Sequence, residues 1–265
     1  MRHTGFYLCI IFLSLCKTPC FASYITIDTN TAVTIDDGQI TIACKITNKG
    51  DEAAHQVEVQ TNLNLQKFSS RPFQTLTPGK SLQTKFKFTP KTKFSRLIIP
   101  LVIKYKDSNL FGFSAVSYAD AKSSAHELST VYCRVKEATL SKKGRVSLTL
   151  KSLDHHSHST MVRVITPHEL TATPAEKNVI VPAESEIQAN FRIANFSALA
   201  PSNYTILCIV SEKRNNGWYE EVFNGRINIV SPQKSLQLFS SPYIPWIIIL
   251  LVIFFAIRQF KTKKN

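Results

Sequence analysis

The residues best suited to chemistry crowd into one short stretch: Asp154, His155, His156, Ser157 and His158. In an extended chain His156 and His158 project from the same face, and imidazole suits zinc or copper. A metal centre, however, needs three or four donors at fixed distances, and only His168 stands nearby in sequence. The stretch therefore reads as a polar turn, and neither a metal nor any other cofactor is expected. Carboxylates pair as neighbours, Asp36 with Asp37 and Glu220 with Glu221 among them. Adjacent residues of a strand point to opposite faces, so neither pair converges on a substrate. The sequence holds no G-x-S-x-G, H-E-x-x-H, phosphate loop or dinucleotide fingerprint. No catalytic residue is nominated, and the chain is expected not to be an enzyme.

Thiols are the other reactive groups. Cys9, Cys16 and Cys20 fall in an N-terminal leader, while Cys44, Cys133 and Cys208 lie beyond it. Each of these three sits in an apolar alternation: Ile40-Ile42-Cys44-Ile46, Val131-Cys133-Val135 and Ile206-Cys208-Val210. An odd number excludes a complete disulfide framework. Buried thiols acting as small hydrophobes fit the pattern. A Cys133–Cys208 bridge fits it too, if their Cα atoms come within reach.

The elements that must position these groups are strands. Nearly every apolar stretch between residues 24 and 230 alternates with period two, and Gly is scarce, which predicts half-buried antiparallel strands. The layout repeats: 40–61 matches 146–167, 75–88 matches 179–193, and 97–118 matches 204–229. The expected fold is all-β, with two tandem immunoglobulin-like antiparallel β-sandwiches at 23–121 and 127–231 joined by a short linker.

The turn chemistry of the first half is more specific. Thr47-Asn48-Lys49-Gly50-Asp51-Glu52-Ala53-Ala54 runs into the alternating Gln56-Val57-Glu58-Val59, and Leu76-Thr77-Pro78-Gly79-Lys80-Ser81 follows. These phrases resemble the "N-x-G-x-x-A-x-x-V-x-V" and "L-x-P-G-x-S/T" turns of the bacterial cell-adhesion-related domains (CARDB) and of the NPCBM-associated domain. The resemblance implies a sandwich fold and a broad role in surface binding or spacing. The second half departs from it, with Asp154-His155-His156-Ser157 and Val181-Pro182-Ala183-Glu184 at the matching turns.

Both ends of the chain carry targeting signals. Residues 1–22 have a weakly basic start, an apolar stretch at 6–15 and a small-x-small site ending at Ala22, which reads as a signal peptide. Residues 242–257 form an apolar run, near the roughly 17–25 residues of a spanning helix. A linker at 232–241 precedes the run, and a basic tail at 258–265 follows it. Tyr243 and Trp246 suit an interfacial belt, and Arg258, Lys261, Lys263 and Lys264 favour the cytoplasmic side. The expected topology is single-pass, with the N-terminus periplasmic or extracellular and the C-terminus cytoplasmic.

Leader and tail hold six of the 32 Lys and Arg and none of the 18 Asp and Glu, leaving +8 on the exported part. That charge suits an acidic glycan, lipid or protein. Without a reader motif, nucleic acid is excluded. The expected function is structural or binding, through contact with protein or glycan at the cell envelope. An accessory subunit of an envelope export or assembly complex is the alternative, which in a eukaryotic host would resemble a translocon-associated lumenal subunit. The oligomeric state is not legible.

For a linear tandem, the loops of the first sandwich form the membrane-distal tip. Asn48, Gly50 and Asp51 in one loop, with Leu110 and Phe111 in the next, are the candidate partner contacts, since apolar and aromatic anchors dominate binding. Lys85 and Lys87 alternate with Phe86 and Phe88, placing a row of ammonium groups on an outer face. Trp218, in the last hairpin, is expected to pack between the domains.

Overall fold

The computed structural model describes residues 24–63, 66–123, 128–215 and 217–232. Every regular element among them is a strand. The expected signal peptide at 1–22, most of the expected linker at 232–241, the apolar run and the basic tail lie outside the described residues. Among the described residues no helix is long and apolar enough to cross a membrane.

The first half contributes β1 (Ile27–Asp36), β2 (Gln39–Asn48), β3 (Ala54–Leu63), β4 (Gln66–Ser69), β5 (Phe73–Leu76), β6 (Ser81–Phe88), β7 (Phe94–Lys106) and β8 (Gly112–Lys122). The second contributes β9 (Val131–Val135), β10 (Ala138–Leu140), β11 (Lys143–Ser152), β12 (His158–Ile165), β13 (Leu170–Thr173), β14 (Glu176–Val181), β15 (Glu186–Asn195), β16 (Ser202–Arg214) and β17 (Gly217–Ile229). Alternation sets the faces. Ile40, Ile42, Cys44 and Ile46 of β2 point inward, as do Val146, Leu148 and Leu150 of β11. Each half closes its own core. One collects these β2 residues with Val57, Val59, Phe86, Leu101 and Ile103. The other collects the β11 residues with Val162, Phe191, Ile193, Ile206 and Ile227.

Two sheets are private to their halves, β1-β2-β6 in the first and β13-β15-β11-β9 in the second. The remaining sheet is shared. It runs β14-β12-β16-β17-β7-β3-β4, with β10, β5 and β8 attached, and so crosses from one sandwich to the other. The crossing is a short parallel pairing of β17 with β7, Trp218 opposite Phe94 and Tyr219 opposite Arg96. The described sandwiches thereby form one compact unit ending at Val230.

This joint overturns the linear tandem. Because β7 and β17 run parallel, the sandwiches lie side by side, and the chain makes a hairpin of domains. The described chain enters the first at Tyr24, beside the β7–β8 turn, leaves it near Ser123, enters the second near Leu128 and returns at Val230 to the level of that turn. We call these the hairpin end and the linker end. Ile98, Leu207 and Ile209 are fully buried or nearly so yet belong to neither core, because they line this junction.

Candidate functional site

At the hairpin end, the β2–β3 loop and the β7–β8 turn are built by side chains that hold backbone. Asn48 is 0% exposed. Its amide donates to the carbonyls of Glu52 (2.7 Å) and Leu76 (3.0 Å), and its oxygen accepts from the Gly50 N–H at 2.9 Å. Asn48 is thus a turn-former sealed inside the loop, which corrects its nomination as a partner contact. Gly50 is also structural, since a Cβ there would meet the backbone of Tyr24, Ile25 and Thr26. Asp51 is exposed and accepts from the Tyr24 N–H at 2.7 Å.

In the neighbouring turn, the Asp107 carboxylate accepts from the N–H groups of Asn109 (2.9 Å) and Phe111 (2.8 Å). Leu110 takes a positive φ of 66°. The result is a pinned turn with Leu110 and Phe111 each 64% exposed. Glu52 ties the two loops together, accepting from the backbone N–H (2.9 Å) and the hydroxyl of Ser108.

The second sandwich closes against this end through a buried carboxylate that sequence reasoning missed. Glu169 is 2% exposed and accepts from the N–H and Oγ of Ser114, each at 2.6 Å. The backbone N–H of His168 donates in turn to Ser114 Oγ at 2.7 Å. Burial, and secondarily the Glu169 charge, raises the phenol pKa of both Tyr105 and Tyr204. Ser114, His168 and Glu169 superficially suggest a nucleophile with its base, but the serine hydroxyl points at the carboxylate and it is the histidine backbone that contacts it. The trio is a clasp. Beside it lies a cleft of about 580 Å³ lined by residues of both sandwiches, among them Tyr24, Tyr105, Phe113, Leu199 and Tyr204.

At the junction the crossing strands part after Arg96, and Glu220 supplies the next acceptor. It takes the Ile98 N–H at 2.9 Å, Arg163 Nη2 at 2.7 Å and Ser211 Oγ at 2.9 Å. Arg96 pairs with Asp120 (2.9 Å) and Glu221 (3.4 Å), and donates to Tyr219 Oη at 3.3 Å. The Trp218 N–H donates to the Lys93 carbonyl at 3.0 Å, so Trp218 sits at the joint between the sandwiches.

The histidine stretch lies at the linker end. His158 is buried between two carboxylates, Nδ1 to Glu212 at 2.5 Å and Nε2 to Asp154 at 2.6 Å. Burial lowers its pKa, but the two carboxylates outweigh that and raise it above the ordinary histidine value. The His158 hydrogen bond, foremost, holds the Asp154 pKa down to about 2. His155 pairs instead with Glu184. Among the described residues no group of three donors is arranged to hold a metal.

Lys85 and Lys87 are exposed on β6, an edge strand, while Phe86 and Phe88 are buried. Cys44, Cys133 and Cys208 are free and buried. Burial pushes the Cys44 thiol up to about 11 and Cys133 up to about 12. Cys208 rises as well, chiefly by burial and then by the charge of nearby Cys133.

No curated protein matches the chain. Among solved structures, the chain is similar to trypsin-activated alpha-2-macroglobulin from Escherichia coli (6% identity, TM-score 0.33, covering 78% of this chain and 18% of that one). A Salmonella alpha-2-macroglobulin mutant gives 7% identity and a TM-score of 0.33 over 78% and 16%. Red sea bream transglutaminase gives 9% and 0.28 over 80% and 32%. The chain spans at most about a third of any of these three. The sequence family is more direct: residues 24–107 match CARDB, and the first sandwich is an immunoglobulin-like module of that kind.

Proposed function

We propose that the chain is an exported, membrane-anchored structural or binding protein without catalytic activity, whose paired sandwiches contact protein or glycan at the cell envelope. One observation carries this reading. The polar groups that could do chemistry, Glu169, Glu220, Arg96 and His158, are each engaged in holding elements together. What remains presented is surface: the apolar hairpin end, and the lysine face of β6. Lys85 and Lys87, joined by Lys45 on the adjacent strand, suit an acidic partner and would steer its approach.

Anchoring is supported by the leader at 1–22 and by the apolar run with its basic tail at 242–265. The full chain should sediment with membranes, resist alkaline extraction and hide a C-terminal tag from outside. Removing 242–265 should release it into the exported soluble fraction. A full chain that washes off at alkaline pH, or a tag reached by external protease, refutes the anchor. Lys85→Ser with Lys87→Ser should weaken capture of acidic glycan or protein without changing the thermal midpoint, and unchanged capture refutes the lysine face.

A further inference from the structure

Most polar side chains where the sandwiches meet are engaged with one another, but one cleft gathers a set that is not. Its volume is about 340 Å³. Its floor is the outer face of β3 and β7, and its wall comes from the β12–β13 and β15–β16 loops of the second sandwich. Gln56, Lys104, Lys106, His168 and Ser197 all line it. Among the described residues, none of these five side chains forms a hydrogen bond or an ion pair.

The strands explain how they converge. Ile99, Leu101 and Ile103 of β7 point into the first core, so Lys104 and Lys106 share the face beyond it, or lie at its end. Lys106 stands opposite His55 and Lys104 opposite Glu58. Between those pairs β3 sets two residues, Gln56 and Val57, against Tyr105 alone, which makes a bulge. Val57 keeps its place in the core at 0% exposed, and the irregularity falls on Gln56, whose φ is 51°. A side chain rarely adopts that backbone region. Bulges re-aim side chains beside functional sites, and such strain gathers at ligand clamps. Here the re-aimed residue is the one that lines the cleft.

The electrostatics narrow the ligand. Two ammonium groups face two carboxylates, but both carboxylates are already occupied. Glu58 accepts from Gln60 at 2.9 Å and from Ser69, and each oxygen of Glu169 is taken by Ser114. The cleft thus suits a single oxyanion better than a polyanion. Burial first, then the charges of Lys104 and Lys67, hold the His168 pKa below the ordinary value. At neutral pH its ring is therefore uncharged and offers one donor and one acceptor. Gln56 and Ser197 have the same double capacity, which matches hydroxyl groups. Exposed Phe111 and Phe196 adjoin the lining residues Gly112 and Ser197, and supply apolar surface at the rim.

We infer that this cleft binds a uronic acid unit of an acidic glycan, its carboxylate on Lys104 and Lys106 and its hydroxyls on Gln56, His168 and Ser197. The inference rests on the glycan-binding reading above, and gives that reading a sugar class and a place distinct from Lys85 and Lys87.

The test is calorimetric titration of the full chain with trimers of galacturonate, glucuronate and mannuronate, with neutral galactotriose, and with inorganic phosphate. At least one uronate trimer should bind, and the neutral trimer should not. Lys104→Gln should weaken binding about tenfold or more, as expected for a lost charged hydrogen bond. Gln56→Gly should weaken it several-fold without lowering the thermal midpoint, because Gly accepts the positive φ and keeps the bulge. Each variant is first shown to melt no lower than the parent, with Lys106→Gln in reserve. Lys85→Ser with Lys87→Ser should leave trimer binding unchanged. Phosphate or the neutral trimer binding as tightly as the uronates overturns the inference, and so does binding of none of the uronates. Trimer binding lost with Lys85 and Lys87 but kept in Lys104→Gln places the glycan on β6, which overturns the inference and leaves the glycan-binding reading standing.

Discussion

Replacing Glu220 by Ala tests the joint on which the whole arrangement depends. Its carboxylate accepts from Ile98 N–H on the first sandwich and from Ser211 Oγ and Arg163 on the second. Ile98 and Ser211 are both 0% exposed, so neither donor can turn to water. Each orphaned buried donor costs about 1–3 kcal/mol, giving about 2–6 kcal/mol for the two. The Arg163 pair adds little, because that side chain is 27% exposed and solvent screens it. For a unit of this size about 1 kcal/mol moves the midpoint by about 2–4 °C, so a loss near 4 kcal/mol predicts a fall of about 8–16 °C.

The neighbouring Glu221 supplies the control. It meets Arg96 at 3.4 Å and is 26% exposed, so Glu221→Ala should cost at most about 1 kcal/mol. Thermal unfolding of both variants, followed by circular dichroism, separates the two acids. If Glu220 also couples the sandwiches, its removal should split one transition into two. Equal, small shifts from both substitutions would refute the claim that Glu220 bridges the crossing.

Gly50→Ala should destabilise by about 1–3 kcal/mol, the usual cost of overpacking, because its Cβ would strike the Tyr24–Thr26 backbone. Hydrogen exchange should quicken at the amides of Lys49 and Asp51, which bond that segment, and unchanged protection refutes the contact. His158 should stabilise the linker end within a pH window. Its pKa is raised on folding, so its contribution is full below the unfolded value of about 6.5 and is lost as pH rises through the higher folded value. The Asp154 contribution is present above its unfolded value and fades as pH falls towards about 2. Glu212 and Arg214 complete the charges facing the ring. The stability gap between the parent and His158→Gln should therefore be widest near pH 5–6 and narrow above it, and a gap independent of pH refutes the pairing. Alkylation without denaturant should leave Cys44, Cys133 and Cys208 unmodified, and all three should react once unfolded. A mass change on reduction would instead reveal a Cys133–Cys208 bridge.

Much of each sandwich was legible because its determinants are local. The β6 alternation places Phe86 and Phe88 inside and Lys85 and Lys87 outside, and the β2–β3 turn phrase carries the family resemblance that the match over 24–107 bears out. Asn48 shows the limit of such reading. A polar residue in a turn phrase is legible as turn-forming, but whether the loop then closes over it depends on Leu76, 28 positions away. Glu169 and Glu220 were illegible for the same reason at longer range. Glu169 stands just before β13 and Glu220 beside Glu221 within β17, with donors 55 and 122 positions away. Nothing local distinguishes such a residue from a solvated surface acid.

The same distance effect decides which end of the molecule does what. A linear tandem and a side-by-side pair have the same strands, turns and cores, and differ only in whether β17 finds β7. Once it does, Tyr24, where the described chain begins, and Val230, where it leaves the sandwiches, fall at one end, and the polar latch of Asp154, His158 and Glu212 falls at the other. Two backbone pairings thus change the arrangement that loop order alone implies, bringing Leu110 and Phe111 to the same end of the paired sandwiches as Val230. Lys85 and Lys87 of β6 stay exposed on an edge strand of the first sandwich. The joint at Arg96, Trp218 and Glu220 is what sets the two sandwiches side by side.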